Sequence, residues 1–183
     1  MNNHGYVSTM RCACTNVDSF NRVGIYADTD LDNGVLVTLG DITKATDGTV
    51  TAFNYAVTPA TADTTGSVWL VNTPKVGTNI EMQMMSDPRY FYNEKGRPMS
   101  LKYLNPKTDI IEADAGCFVG GTLPTTAQKY VTVGAGGKYV AASAAAKAEK
   151  AAAAKPYFSV VGFNEVAVGM GVMKTVLLQC ESN

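Results

Sequence analysis

Short runs of apolar and β-branched residues, each bounded by turn chemistry, recur along most of this chain. Residues 35–39 (Val-Leu-Val-Thr-Leu) follow the turn formed by Asp30-Leu-Asp-Asn-Gly34 and stop at Gly40-Asp41. A second turn, Thr46-Asp-Gly48, leads into residues 49–57, which are rich in β formers and are closed by Pro59. Residues 58–66 mix Thr, Ala, Asp and Pro and are predicted as loop. Residues 67–71 (Ser-Val-Trp-Leu-Val) then form an apolar run suited to a buried strand, with Trp69 as its expected core anchor. Residues 79–84 alternate apolar with polar at period two, as does the run 99–104 beyond the turn at 93–98. Short strands are further predicted at 90–92, 109–114, 116–119 and 129–133. Closing strands follow at 157–161 and 172–178, joined by a glycine-containing connection over 162–171. Turn signals this closely spaced predict a mainly β fold, an antiparallel barrel or sandwich, rather than a parallel α/β sheet.

Two segments depart from the pattern. Residues 1–24 are small and polar with weak periodicity, and read as an extended N-terminal arm or an edge strand ahead of a β-rich domain at 25–183. Residues 141–154 hold ten alanines with Lys and Glu and no Gly, and Pro156 stops them. The sequence therefore predicts one Ala-rich α-helix over about 140–155, inserted in the β domain and approached through the glycines at 134, 136 and 137. A helix of this length is marginal in water and has to pack on the sheet or fray. No period of 20 to 50 residues marks a repeat architecture.

Length and composition limit what such a fold can do. The chain has 183 residues, is 46% hydrophobic, and balances 15 Lys plus Arg against 16 Asp plus Glu for a net charge of −1. That suits one domain or two small ones with a real core, and it offers no electrostatic case for nucleic-acid binding. The first seven residues lack a basic region followed by an apolar run, so synthesis in the cytoplasm without a secretory signal is expected. No stretch approaches the roughly 18 consecutive apolar residues of a membrane span. One histidine and four cysteines strain most hydrolase and metalloenzyme readings. Cys12 and Cys14 are two apart and Cys117 and Cys180 lie far off, which fits neither a CxxC pair nor a disulfide framework, so all four are expected to be reduced thiols in packing roles.

Candidate chemistry is sparse. Residues 133–139 (Val-Gly-Ala-Gly-Gly-Lys-Tyr) contain a GK pair, but Thr132 and Tyr139 stand where a phosphate loop needs a glycine and a magnesium-binding hydroxyl. Asp28, Asp30 and Asp32 are spaced like the start of a calcium loop without its later glutamate, and are expected to form a solvated turn. His4 has no Cys, Asp or Glu within several residues to orient it and is expected at the surface. Glu112 and Asp114, at i and i+2 of a strand, share a face in the manner of a glycosidase pair, as carboxylates on any wet sheet also do. Alternation places Tyr90 and Tyr92 together and Phe91 opposite, which suits a core face and an interface better than a carbohydrate platform. The methionines at 82, 84, 85, 170 and 173 suit adaptable packing or subunit contacts. No catalytic grouping emerges, and a non-enzymatic protein without cofactor or metal is expected.

Gly5-Tyr-Val7, the turn and strand from Asp32-Asn-Gly-Val to Gly40, and Glu94-Lys-Gly-Arg-Pro98 leading into a strand with Asp109 beyond, carry a family resemblance over residues 1–133. Here the chain resembles the head decoration, or cement, proteins of tailed bacteriophages; the Ala-rich segment departs from that pattern. The resemblance implies a β-rich virion protein on the capsid exterior that binds the major capsid protein and bridges its subunits. Local three-fold positions are implied too, and with them a homo-oligomer, a trimer. Asn2, Asn3, Gly5, Tyr6 and Val7 are the expected capsid-binding residues, by strand addition to a sheet edge, and Tyr90 and Tyr92 the expected subunit-interface residues. The competing readings are a ligand- or carbohydrate-binding β module, and another virion component such as a tail or neck protein.

Overall fold

The computed structural model describes residues 4–50, 52–74, 90–153, 155–168 and 171–183. The expected strand at 79–84, the residues Asn2 and Asn3, and Met82, Met84, Met85 and Met170 lie outside the described residues. In chain order the strands are β1 (Val7–Arg11), β2 (Asn21–Ile25), β3 (Leu31–Asp32), β4 (Leu36–Ile42), β5 (Asn54–Pro59), β6 (Trp69–Val71), β7 (Tyr92–Asn93), β8 (Pro98–Tyr103), β9 (Ile110–Asp114), β10 (Tyr130–Val133) and β11 (Tyr139–Ala142). After these come the helix α1 (Ala144–Ala152) and the strands β12 (Tyr157–Val168) and β13 (Gly171–Ser182). The fold is mainly β, as the turn spacing predicts.

Five strands close into a barrel in the order β2-β5-β4-β6-β8, and six form a sheet in the order β1-β9-β13-β12-β10-β11. Every barrel pair is antiparallel except β2 with β5. Alternation along β4 and β6 joins the two layers. Val37 and Val71 turn inward against Val57, Met99 and Leu101, while Leu36 and Leu70 turn outward onto a second core with Ile111, Phe158, Val176 and Leu178 of the sheet. The barrel wall therefore has two buried faces, which is why its strands read as continuous apolar runs. Its lumen is tight at Gly24, where an added Cβ would lie 2.6 Å from Leu101 Cδ1 and 2.7 Å from Val57 Cγ1. Gly24→Ala is expected to destabilise the fold by about 1–3 kcal/mol through overpacking, read as a lower urea midpoint with an unchanged denaturant slope.

Four expectations are corrected by local physics. Trp69 is only half-buried, packed edge-on to Tyr103 at 5.4 Å, while its neighbours Val68 and Leu70 take the fully buried positions. The helix is nine residues long, not the span 140–155: residues 139–142 pair with β10, because this ladder buries Tyr139 completely and outweighs alanine's helix propensity. Ser143 then caps the helix, its Oγ accepting from Ala146 N–H at 3.2 Å. Residues 116–119 are not a strand. Two 3₁₀ turns, Ala115–Cys117 and Val119–Gly121, replace it, and Gly116 approaches the backbone of His4 and Gly5 there. Finally, the expected connection over 162–171 is mostly strand, since β12 and β13 stay paired out to Val168 opposite Gly171.

Candidate functional site

The segment read as an arm at 1–24 contains β1, two 3₁₀ turns and β2; β1 takes the edge position of the six-stranded sheet. Gly5 and Val7 are buried and Tyr6 is half-buried. A Cβ on Gly5 would sit 2.7 Å from Asn33 O and 3.0 Å from Cys117 Sγ, so glycine is what lets the chain pass here. Tyr6 N–H donates to Asp114 Oδ1 at 2.9 Å, and Asp114 N–H returns a bond to Tyr6 O at 3.1 Å. The Cys117 thiol donates to Tyr6 O at 3.2 Å. Burial pushes this thiol far up, and the neighbouring Asp114 carboxylate adds to the effect, so Cys117 is a packed thiol rather than a nucleophile.

His4 is not a free surface histidine. Its Nδ1 lies 2.6 Å from Asp32 Oδ1, its ring stacks at 4.9 Å on Tyr92, and Lys138 Nζ stands 3.4 Å from the other oxygen of Asp32. Lys138 also donates to Gly116 O at 3.0 Å. This small ionic cluster ties the first described residues to the β3 turn and to the loop before β11. Asp30 accepts from Lys95 N–H at 2.8 Å, which commits a carboxylate of the candidate calcium loop to the turn at 93–98. Tyr90 and Tyr92 are half-buried and Phe91 is buried; of the expected strand at 90–92 only Tyr92 is in a strand, β7, while Tyr90 lies in a 3₁₀ turn.

On the sheet, Glu112 and Asp114 are both buried and both committed to hydrogen bonds. Glu112 Oε1 accepts from Thr175 Oγ1 at 2.6 Å and from Asn164 Nδ2 at 2.9 Å, while Arg11 pairs with Oε2 at 3.6 Å. Burial pushes the Asp114 carboxyl up, opposed by the bonds it receives from Tyr6 and Cys117. This network stitches β1, β9, β12 and β13 together. Thr175→Val keeps the side-chain shape but leaves a buried carboxylate oxygen short of a donor, and is expected to cost about 1–3 kcal/mol in urea unfolding. Beside the network lies an open cavity of about 640 Å³, lined by Leu123, Pro124, Phe163, Asn164, Lys174 and Thr175. Neither Asn164 nor Thr175 stands out in the sequence, because both meet Glu112 only through long-range strand pairing.

The distal part of the β12–β13 hairpin is largely exposed. β9 pairs with β13 only from Thr175 to Gln179, and β10 pairs with β12 only from Tyr157 to Ser159. Among the described residues, the two strands pair beyond these points with each other alone. The opposed pairs Phe163 and Val176, Glu165 and Lys174, and Ala167 and Val172 share one face. Val176 on that face is completely buried, whereas Phe163 is 43% and Val172 64% exposed. On this face the exposed apolar side chains of Phe163 and Val172 thus flank the Glu165 and Lys174 pair, and Val161, two residues before Phe163, is exposed as well.

No protein family, curated protein or solved structure matches this chain. Among the described residues, no helix is long and apolar enough to cross a membrane.

Proposed function

We propose that this chain is a structural virion protein that binds the outer surface of the major capsid lattice of a tailed bacteriophage and stabilises the head. The projecting hairpin carries the reading: a two-stranded ribbon is marginal on its own in water, and one that keeps Phe163 and Val172 exposed gains from a protein surface that covers them. A near-neutral chain of low charge density suits such contact, since little charge has to be desolvated. Affinity for the assembled lattice and not for loose subunits stabilises the shell by mass action, with no bond chemistry.

Asn2, Asn3, Gly5, Tyr6 and Val7 contribute to the same contact through the amino-terminal edge of the sheet. Because Gly5 and Val7 pack inside the chain, their share is to hold that edge in place for a capsid strand. Tyr90 and Tyr92 face neighbouring copies in a trimer. Co-sedimentation of the purified chain with expanded capsids and, separately, with tails tests the reading. Binding to capsids is expected, and binding to tails alone contradicts it. A ligand-binding β module is the second reading, favoured by the cavity beside Phe163 with Asn164, Lys174 and Thr175 on its wall. A glycan array separates the two, since only this second reading expects a saturable sugar ligand.

A further inference from the structure

We infer that Cys12, Cys14 and Asp109 form a zinc site beneath the sheet. Cys12 and Cys14 flank the start of the 3₁₀ turn after β1 and Asp109 precedes β9, so the site would tie two separate stretches of chain. The two sulfurs and a carboxylate oxygen all lie within 4.8 Å of one another, and all three residues are buried. Ligand atoms around a tetrahedral zinc with Zn–S near 2.3 Å stand about 3.3–3.8 Å apart, so a small contraction closes the set.

Two further observations favour a metal over simple thiol packing. Asp109 is already oriented: Oδ1 accepts from Ala13 N–H at 2.7 Å, and Oδ2 from Asn105 N–H at 2.8 Å and Asn105 Nδ2 at 3.1 Å. That uses three of about four lone-pair directions and fixes the carboxylate as outer-sphere bonds fix metal ligands. Lys102, felt electrostatically at Cys14, supplies positive charge against the thiolates. Binding is written as Zn²⁺ displacing one proton from each of the two thiols, the protons passing to solvent, with no change of oxidation state.

The test uses the full chain, reduced, stripped of metal under denaturing conditions and refolded with ZnCl₂ or CoCl₂. About one equivalent of zinc is expected by elemental analysis, and the cobalt form is expected to show the visible bands of a tetrahedral thiolate complex. Cys14→Ser is expected to lose the bound metal at least tenfold in occupancy, whereas Cys117→Ser, whose thiol is outside the cluster, keeps it. If Cys14→Ser does not fold, the wild-type cobalt spectrum and the protection of Cys12 and Cys14 from alkylation by zinc decide the matter. A refolded wild-type chain that takes up no zinc, an octahedral cobalt spectrum, or a Cys12–Cys14 disulfide found by mass spectrometry would overturn the site.

Discussion

Phe158→Ala is expected to lower the free energy of unfolding by about 3–5 kcal/mol, the range for emptying a large aromatic side chain from a packed core. Phe158 is completely buried at the centre of the six-stranded sheet, on the strand that pairs with both β10 and β13. Its ring meets Tyr139 edge-on at 5.4 Å and 84°, and Tyr139 in turn packs at 5.5 Å on Phe118. Truncation removes one end of this aromatic row and leaves a cavity that strands on both sides hold open. With typical domain stability of about 5–15 kcal/mol, the loss would bring the variant close to unfolding at room temperature. A urea titration reads it as a strongly reduced midpoint. A shift under about 1 kcal/mol would mean that the barrel and the sheet do not share the core described here.

A double change on the hairpin, Phe163→Glu with Val172→Glu, is expected to abolish capsid binding while leaving the fold intact. Both side chains are exposed, so charging them leaves the core packing untouched. Apolar groups of this kind supply the central part of a protein interface, and two carboxylates buried there without partners oppose binding more strongly than the original pair favours it. Co-sedimentation with capsids is expected to fall more than tenfold, with a melting temperature within a few degrees of wild type. Unchanged co-sedimentation would place the interface elsewhere on the molecule, and the edge of β1 would be the next surface to alter.

The two buried faces of the barrel wall made its strands legible, since Leu36, Val37, Leu70 and Val71 have to be apolar on both sides. Residues 99–104 were legible for a different reason, their alternation between turns, and 109–114 through the turn residues that bound them. Helix length was not legible: alanine propensity over 140–155 carries no information about Tyr139, whose burial pulls residues 139–142 into the sheet. The pairings that build the site escaped for the same reason at longer range. His4 with Asp32 spans 28 residues, Glu112 with Thr175 spans 63, and strand register rather than local spacing brings them together. The gathering of Cys12 and Cys14 with Asp109 likewise depends on β1 lying beside β9.

The most direct measurement is a cryo-electron-microscopy map of the virion that carries this chain. Density for the fold is expected on the outside of the capsid shell, repeated with the lattice, with the β12–β13 hairpin seated on major capsid protein and Phe163 and Val172 covered. A map that places the chain in the tail or neck, or that shows it on the shell with the hairpin standing free in solvent, would contradict the account.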